Sequence, residues 1–184
     1  MKRAIDFAVA AAALVVLAVP MLVVALSIRA GDGGPALHRQ SRVGRRGRIF
    51  EMLKFRSMVT NAATIGSYMT TAGDPRITRI GRFIRRTSID ELPQLWNVLV
   101  GDMSLVGPRP DVPAQQSSYA PADWTLRHSV RPGLTGLAQA TLRSAATPEQ
   151  RTAADLAYVK TASVGRDLGI ILLTVRQVLV RGGN

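Results

Sequence analysis

The sequence contains no cysteine, which excludes a disulfide framework, thiolate zinc or iron–sulfur sites, and thiol catalysis. Its two histidines, His38 and His128, stand far apart and do not suggest a His-rich metal centre. Aromatic residues make up only 5% of the chain, with no RNA-binding aromatic pattern among them. Acids are scarce too: 12 Asp+Glu face 24 Lys+Arg, a net charge of +12. That imbalance calls for an anionic partner, whether nucleic acid, a lipid surface or phosphorylated small molecules. Apolar residues are not scarce. At 47% of 184 residues they suffice for one packed domain with an appendage, and they exclude wholesale disorder.

The appendage is N-terminal. Phe7 to Ile28 reads FAVAAAALVVLAVPMLVVALSI, without a charge and with Ser27 as its one polar residue. As a straight helix this run would be roughly 33 Å long, enough to cross a bilayer core. It exceeds the usual apolar region of a cleaved signal peptide. Lys2 and Arg3 precede it, and Arg29, Arg39, Arg42, Arg45, Arg46 and Arg48 crowd after it. The positive-inside rule therefore sends both flanks to the cytoplasmic face, which a simple crossing cannot satisfy. Pro20 lies inside the run and leaves the Val16 carbonyl without its helical donor. A helix broken at Pro20 could enter one leaflet and return, with Asp6 near the headgroups beside Lys2 or Arg3. An N-terminus-out crossing is the competing topology.

Gly31-Asp32-Gly33-Gly34-Pro35 marks the boundary of this segment. Val43 to Phe55 reads as a short hairpin around Arg46-Gly47, followed by a polar loop from Val59 to Gly73. Between Pro75 and Arg86 the arginines recur every three residues at 76, 79, 82 and 85, an amphipathic helix with a cationic stripe. Such a stripe suits anionic headgroups as well as plain solvent. Further helices are expected over Pro148 to Lys160 and over Arg166 to Arg181, the latter with apolar Leu168, Ile171, Leu172, Val175, Val178 and Leu179. Trp96 and Trp124 read as core or interface anchors, and both histidines as ordinary polar residues.

Most carboxylates stand alone in loops; the exception is Asp90-Glu91, directly after the arginine stripe. Two readings compete. Ser88-Ile89-Asp90-Glu91 fits a capping box, with Ser88 as N-cap and Glu91 reaching back, although Pro93 sits awkwardly one turn on. Alternatively, an Asp90 kept ionised by Arg85 and Arg86 could bind Mg²⁺ or attack phosphorus to give an aspartyl phosphate. Arg109, set between Pro108 and Pro110, is a candidate for forked phosphate contact. The Gly107 and Gly133–Gly136 loops could offer backbone N–H groups to phosphate, although they match no P-loop.

These strings together resemble a known family. Lys54-Phe55-Arg56-Ser57-Met58, Asp74-Pro75-Arg76-Ile77-Thr78-Arg79-Ile80-Gly81, TSIDELPQLWNVLVGDMSLVGPRP and RPGLTGLAQ closely resemble the bacterial sugar transferases, monotopic phosphoglycosyl transferases acting on polyprenyl phosphate. The resemblance runs over essentially the whole chain. It implies an α-rich α+β fold: a re-entrant membrane helix broken at Pro20 over residues 1–30, then a small globular catalytic domain over 31–184 with interfacial amphipathic helices. It further implies an enzyme at the cytoplasmic face of the inner membrane, serving the first membrane step of glycan or exopolysaccharide assembly. Sugar-1-phosphate would pass from a nucleotide-diphosphate sugar, such as a UDP-sugar, to undecaprenyl phosphate. Asp90 carries over as the nucleophile, Glu91 as assisting the lipid phosphate, and Arg85 and Arg109 as phosphate contacts. Mg²⁺ is implied near Asp90 and the diphosphate.

Three positions depart from the family pattern. Val19 stands where Ser often precedes the proline, Leu137 replaces a common Trp, and Ala140-Thr141-Leu142-Arg143 replaces Val-Asn-Gly-Arg. Sugar, nucleobase and a homodimeric state stay open. An anionic phospholipid surface is an expected partner and nucleic acid is not, because no nucleic-acid motif accompanies the charge. A membrane-tethered nucleic-acid-binding module and a catalytically silent scaffold are the competing function classes.

Overall fold

A computed structural model describes residues 1–66, 71, 73–142 and 146–181. Helix α1 (Lys2–Asp32) spans about 46 Å at the usual rise per residue. It continues through Pro20 as one element, so the expected break does not divide it in two. Packing explains how it tolerates the lost hydrogen bond. Ala13, Leu14 and Leu17 rest on the main core, and Met21, Val24 and Ala25 on a second, smaller one.

Both ends of α1 are fastened to the same globular body. Near the start, Lys2 pairs with Asp167, and Arg3 donates 2.7 Å to the Leu99 carbonyl. Asp6 is buried, accepting from Ser104 Oγ at 2.9 Å and the Leu105 N–H at 3.2 Å. That placement corrects the expected pairing of Asp6 with Lys2 or Arg3, because the Ser104–Val106 strand supplies donors that Asp6 accepts from. At the far end Ile28 packs with Phe55 and Ile84, and Asp32 pairs with Arg56. The opposite face is open among the described residues: Val15, Val16 and Val19 are 71–78% exposed.

Strands β1 (Leu37–Val43) and β2 (Ile49–Phe55) form an antiparallel hairpin whose register pairs His38 with Lys54 and Arg42 with Phe50. The turn falls at Arg45–Gly47, as expected, with Arg46 at φ 58°. After the one-turn α2 (Ala62–Ile65), helix α3 covers Arg79–Arg86. It begins later than the arginine spacing suggests because Thr78 caps it, accepting from the Gly81 N–H at 2.9 Å. Helix α4 (Gln94–Val100) follows, then β3 (Ser104–Val106), α5 (Pro121–Arg127) and β4 (Gly133–Thr135), with β3 and β4 parallel.

Helices α6 (Leu137–Thr141), α7 (Pro148–Thr161) and α8 (Val164–Arg181) complete the described chain. The expected α7 and α8 are therefore present, and the fold is helix-rich with two small sheets. On α8 the buried stripe is Ile170, with Thr174 bonded to Thr135 and Gln177 to the Ala140 carbonyl. Leu168, Leu172 and Val175 face outward at 50–70% exposure, away from the core that the apolar spacing alone would assign them to. Arg143, part of the 59–73 loop and the Leu179 side chain lie outside the described residues.

Candidate active site

The chain reaches the acidic pair through an unusual backbone. Ser88 adopts φ 57°, one of two non-glycine positive-φ residues among those described, a conformation that costs energy and tends to accompany function. It is followed by a 3₁₀ turn at Ile89–Glu91 and by Pro93, which opens α4. Ser88 makes no side-chain cap, so the capping box is not formed. Proline lacks the N–H that a continuous helix needs, so the chain breaks into a turn and a new helix. The Glu91 carboxylate is thereby released for other partners.

Those partners are cations. Lys54 Nζ donates to Glu91 Oε1 at 2.9 Å, and Arg109 Nη2 donates to the same oxygen at 2.8 Å. Lys54 arrives from β2, which α4 clamps through the buried Asn97: Oδ1 accepts from the Leu53 N–H at 3.0 Å, and Nδ2 donates 2.8 Å to the Glu51 carbonyl. Arg109 arrives from the proline-flanked loop. Arg42 arrives from β1, its Nη1 donating 2.7 Å to the Pro110 carbonyl. Asp90 itself is buried and feels the charges of Lys54, Arg85 and Arg109.

The two carboxylates are driven apart. For Glu91, burial works against ionisation, but the charges and hydrogen bonds of Arg109 and Lys54 prevail and hold it at about 2. For Asp90, burial and then the neighbouring Glu91 push the carboxyl up, with the cations only partly offsetting them. The cations expected to favour the ionised Asp90 are thus outweighed by burial and by Glu91. The cations hydrogen-bond Glu91, and Arg85 reaches Asp90 only through space. Separated acid strengths of this kind are a recurring mark of reactive sites.

The loop carrying Arg109 is held from behind. Arg127 Nη2 donates 2.8 Å to the Arg109 carbonyl, while the same guanidinium pairs with Asp111 and with Asp155. Tyr119 Oη donates to Asp111 at 3.0 Å. The glycines next to this loop serve packing. A Cβ on Gly133 would come within 2.1 Å of the Gly107 nitrogen. The Gly107 and Gly133 N–H groups are spent on the Thr135 and Pro108 carbonyls, each at 2.9 Å. These two N–H groups are therefore not free for phosphate, which corrects the expectation for Gly107 and Gly133.

Sequence reasoning thus found Asp90, Glu91, Arg85 and Arg109, and the fold brings them together. It gave no role to Lys54, although Lys54 lies in a quoted string, or to Arg42 and Arg127. Strand alternation could have found the first two: His38, Gln40 and Arg42 share a face with Lys54 once the hairpin register is known. Among the described residues no three His, Asp or Glu side chains gather as a metal cage.

The bacterial sugar transferase pattern matches residues 1–181. The chain belongs to this family. The chain is 46% identical to the UDP-glucose:undecaprenyl-phosphate glucose-1-phosphate transferase of Caulobacter vibrioides, over 97% of the chain and 69% of that protein. It is 42% identical to the UDP-galactose-lipid carrier transferase of Erwinia amylovora, over 100% of the chain but 41% of that longer protein. Its identity to the exopolysaccharide production protein PSS of Rhizobium leguminosarum is 43%, over 99% of the chain and 96% of that protein.

Proposed function

We propose that this chain transfers sugar-1-phosphate from a nucleotide-diphosphate sugar, of which a UDP-sugar is the foremost candidate, to undecaprenyl phosphate. The products are a polyprenyl-diphosphate sugar and a nucleoside monophosphate, the first membrane step of glycan or exopolysaccharide assembly. One observation carries this reading: a buried carboxylate, Asp90, stands among more cations than its neighbour Glu91 can neutralise. Such a site attracts a diphosphate and can attack it. The names of the relatives from Caulobacter and Erwinia support the same class of donor.

In the proposed mechanism an Asp90 oxygen attacks the phosphorus that bears the sugar. The bond from that phosphorus to the bridging oxygen breaks, its electron pair leaves with the nucleoside monophosphate, and sugar phosphate remains on Asp90. A polyprenyl phosphate oxygen then attacks the same phosphorus and expels the Asp90 carboxylate. A phosphate monoester is largely dianionic near neutral pH, so the second attack requires no strong base. Glu91, held at about 2, suits the task of fixing Lys54 and Arg109 for the phosphates better than that of taking a proton. Mg²⁺ fits this donor set, since it typically takes one or two carboxylates plus substrate phosphates. Asp90 would hold it, and the ion would neutralise charge at the diphosphate.

For topology, the reading is a re-entrant anchor over residues 1–30, bent at Pro20, with residues 31–184 on the cytoplasmic face of the inner membrane. Supporting it, Lys2, Arg3 and Asp32 all bond to the one globular body, which favours placing both ends of α1 on one side. The outward apolar faces of α1 and α8 suit insertion and surface docking. Incubating purified protein with Mg²⁺, undecaprenyl phosphate and a panel of UDP-sugars should release UMP. Omitting the lipid should trap labelled sugar phosphate on Asp90. Turnover without any trapped label would overturn the covalent route.

A further inference from the structure

The fit of Arg42 into the site is the observation with most left to explain. Its guanidinium is built in: Nε and Nη2 donate to Gln40 Oε1 at 3.2 and 2.7 Å, and Nη1 donates to the Pro110 carbonyl at 2.7 Å. Next to it the Val43 N–H donates to the Asp111 carbonyl at 2.9 Å, so β1 is zipped to the loop carrying Arg109. The three hydrogen bonds of Arg42 end on two neutral acceptors, the Gln40 amide oxygen and the Pro110 carbonyl. Among the described residues no carboxylate pairs with it. Burial, and then the charge of Arg109 nearby, push its acidity to about 10. A fold that keeps Arg42 on neutral partners within reach of the Arg109 charge, with Glu91 already bonded to Arg109 and Lys54, has positive charge left for a ligand.

The position says which part of a diphosphate. Lys54 and Arg109 bond Glu91, next to Asp90, whereas Arg42 bonds the carbonyl of Pro110, the residue after Arg109. Along this bonded series Arg42 lies one step beyond Arg109, which itself bonds the neighbour of the attacking carboxylate. A diphosphate with its sugar-bearing phosphorus at Asp90 would extend its second phosphate in that direction. We propose that Arg42, oriented by Gln40, binds the phosphate that leaves with the nucleoside, and stabilises the charge gathering there as the bridging bond breaks. This inference rests on the transfer reading above and assigns one residue within it. The guanidinium fork suits two phosphate oxygens at once.

The test uses the full chain in detergent or nanodiscs, comparing wild type with Arg42→Met and Arg42→Lys. In a two-step exchange, kcat/KM for the UDP-sugar reports donor attack and kcat/KM for undecaprenyl phosphate reports acceptor attack. Arg42→Met should lower the donor value by about 10- to 100-fold and leave the acceptor value within twofold. Arg42→Lys should recover part of the loss. A loss confined to the acceptor value would assign Arg42 to the lipid phosphate and overturn the proposal. Equal losses in both, with a lower Tm, would make it a structural residue and do the same. A second measurement is independent of turnover: titration with inorganic diphosphate in the absence of lipid. Arg42→Met should weaken that binding about tenfold, and unchanged affinity overturns the proposal. Should wild type release no UMP from any donor, the transfer reading falls, and the diphosphate titration alone still decides whether Arg42 binds phosphate.

Discussion

Two charged clusters flank the Pro108–Asp111 loop, and they are built to opposite rules. Behind the loop, Arg127 pairs with Asp111 and Asp155, all three side chains only 5–6% exposed, and also donates to the Arg109 carbonyl. In front, Arg42, Lys54, Arg85 and Arg109 surround only Asp90 and Glu91, and Arg109 is 40% exposed. The rear cluster has anions enough to match its cation and is sealed from water. The front cluster has cations to spare and an opening. A matched, buried cluster holds a loop in place, and breaking it is expensive. An unmatched, accessible one holds charge ready for a ligand. One short loop joins them, so rigidity behind becomes placement in front.

The largest expected effect belongs to the front. Asp90→Asn keeps the shape and removes the nucleophile, so UMP release should fall by at least about 10³-fold. Stability should not fall with it. The folded state raises the Asp90 pKa, so the ionised form costs stability above its unfolded value, and the neutral amide escapes that cost. Tm should therefore hold or rise; a clear drop would mean that Asp90 braces the fold. The rear cluster should show the reverse. Arg127→Leu strands two buried carboxylates and should cost about 3–5 kcal/mol in unfolding free energy, read from denaturant midpoints. Lys54→Met leaves Glu91 with Arg109 and should cost far less stability than that. Comparable losses in both variants would erase the distinction between the clusters.

How far the sequence carried these clusters differs for the same physical reason. The front residues were legible where chemistry is local: the adjacent Asp90-Glu91 and the proline-locked Arg109. The hairpin, α7 and α8 were legible too, because period and turn residues are local signals. Arg127, Asp111 and Asp155 were not, since their pairing bridges residues up to 44 positions apart and depends on how α5, α7 and the loop pack. The same applies to Asp6, whose partners Ser104 and Leu105 lie nearly a hundred residues on. On α8, apolar spacing located a face but not its direction. Ile170, Thr174 and Gln177 turn inward, and an outward apolar face becomes intelligible only beside the outward face of α1.

The smallest expected effect is a shift in the pH dependence of donor attack, and it resolves the front cluster residue by residue. Attack needs Asp90 ionised, so kcat/KM for the UDP-sugar should rise with pH through the Asp90 pKa. Glu91 pushes that pKa up, and Lys54 pulls it down. Glu91→Gln should therefore move the acid limb to lower pH and Lys54→Met to higher pH. Both variants also lower the plateau, because each loosens the pair that fixes Arg109; the direction of the limb separates that loss from the electrostatic one. Glu91 adds a stability term of its own. With its folded value depressed to about 2, its contribution is fully present above its ordinary unfolded value, near 4.3, and is lost as pH falls toward 2. Wild-type Tm should drop over that acid window more steeply than that of Glu91→Gln. If both substitutions move the activity limb the same way, Asp90 is not the group that titrates, and the charge pattern of the front cluster acts on some other step.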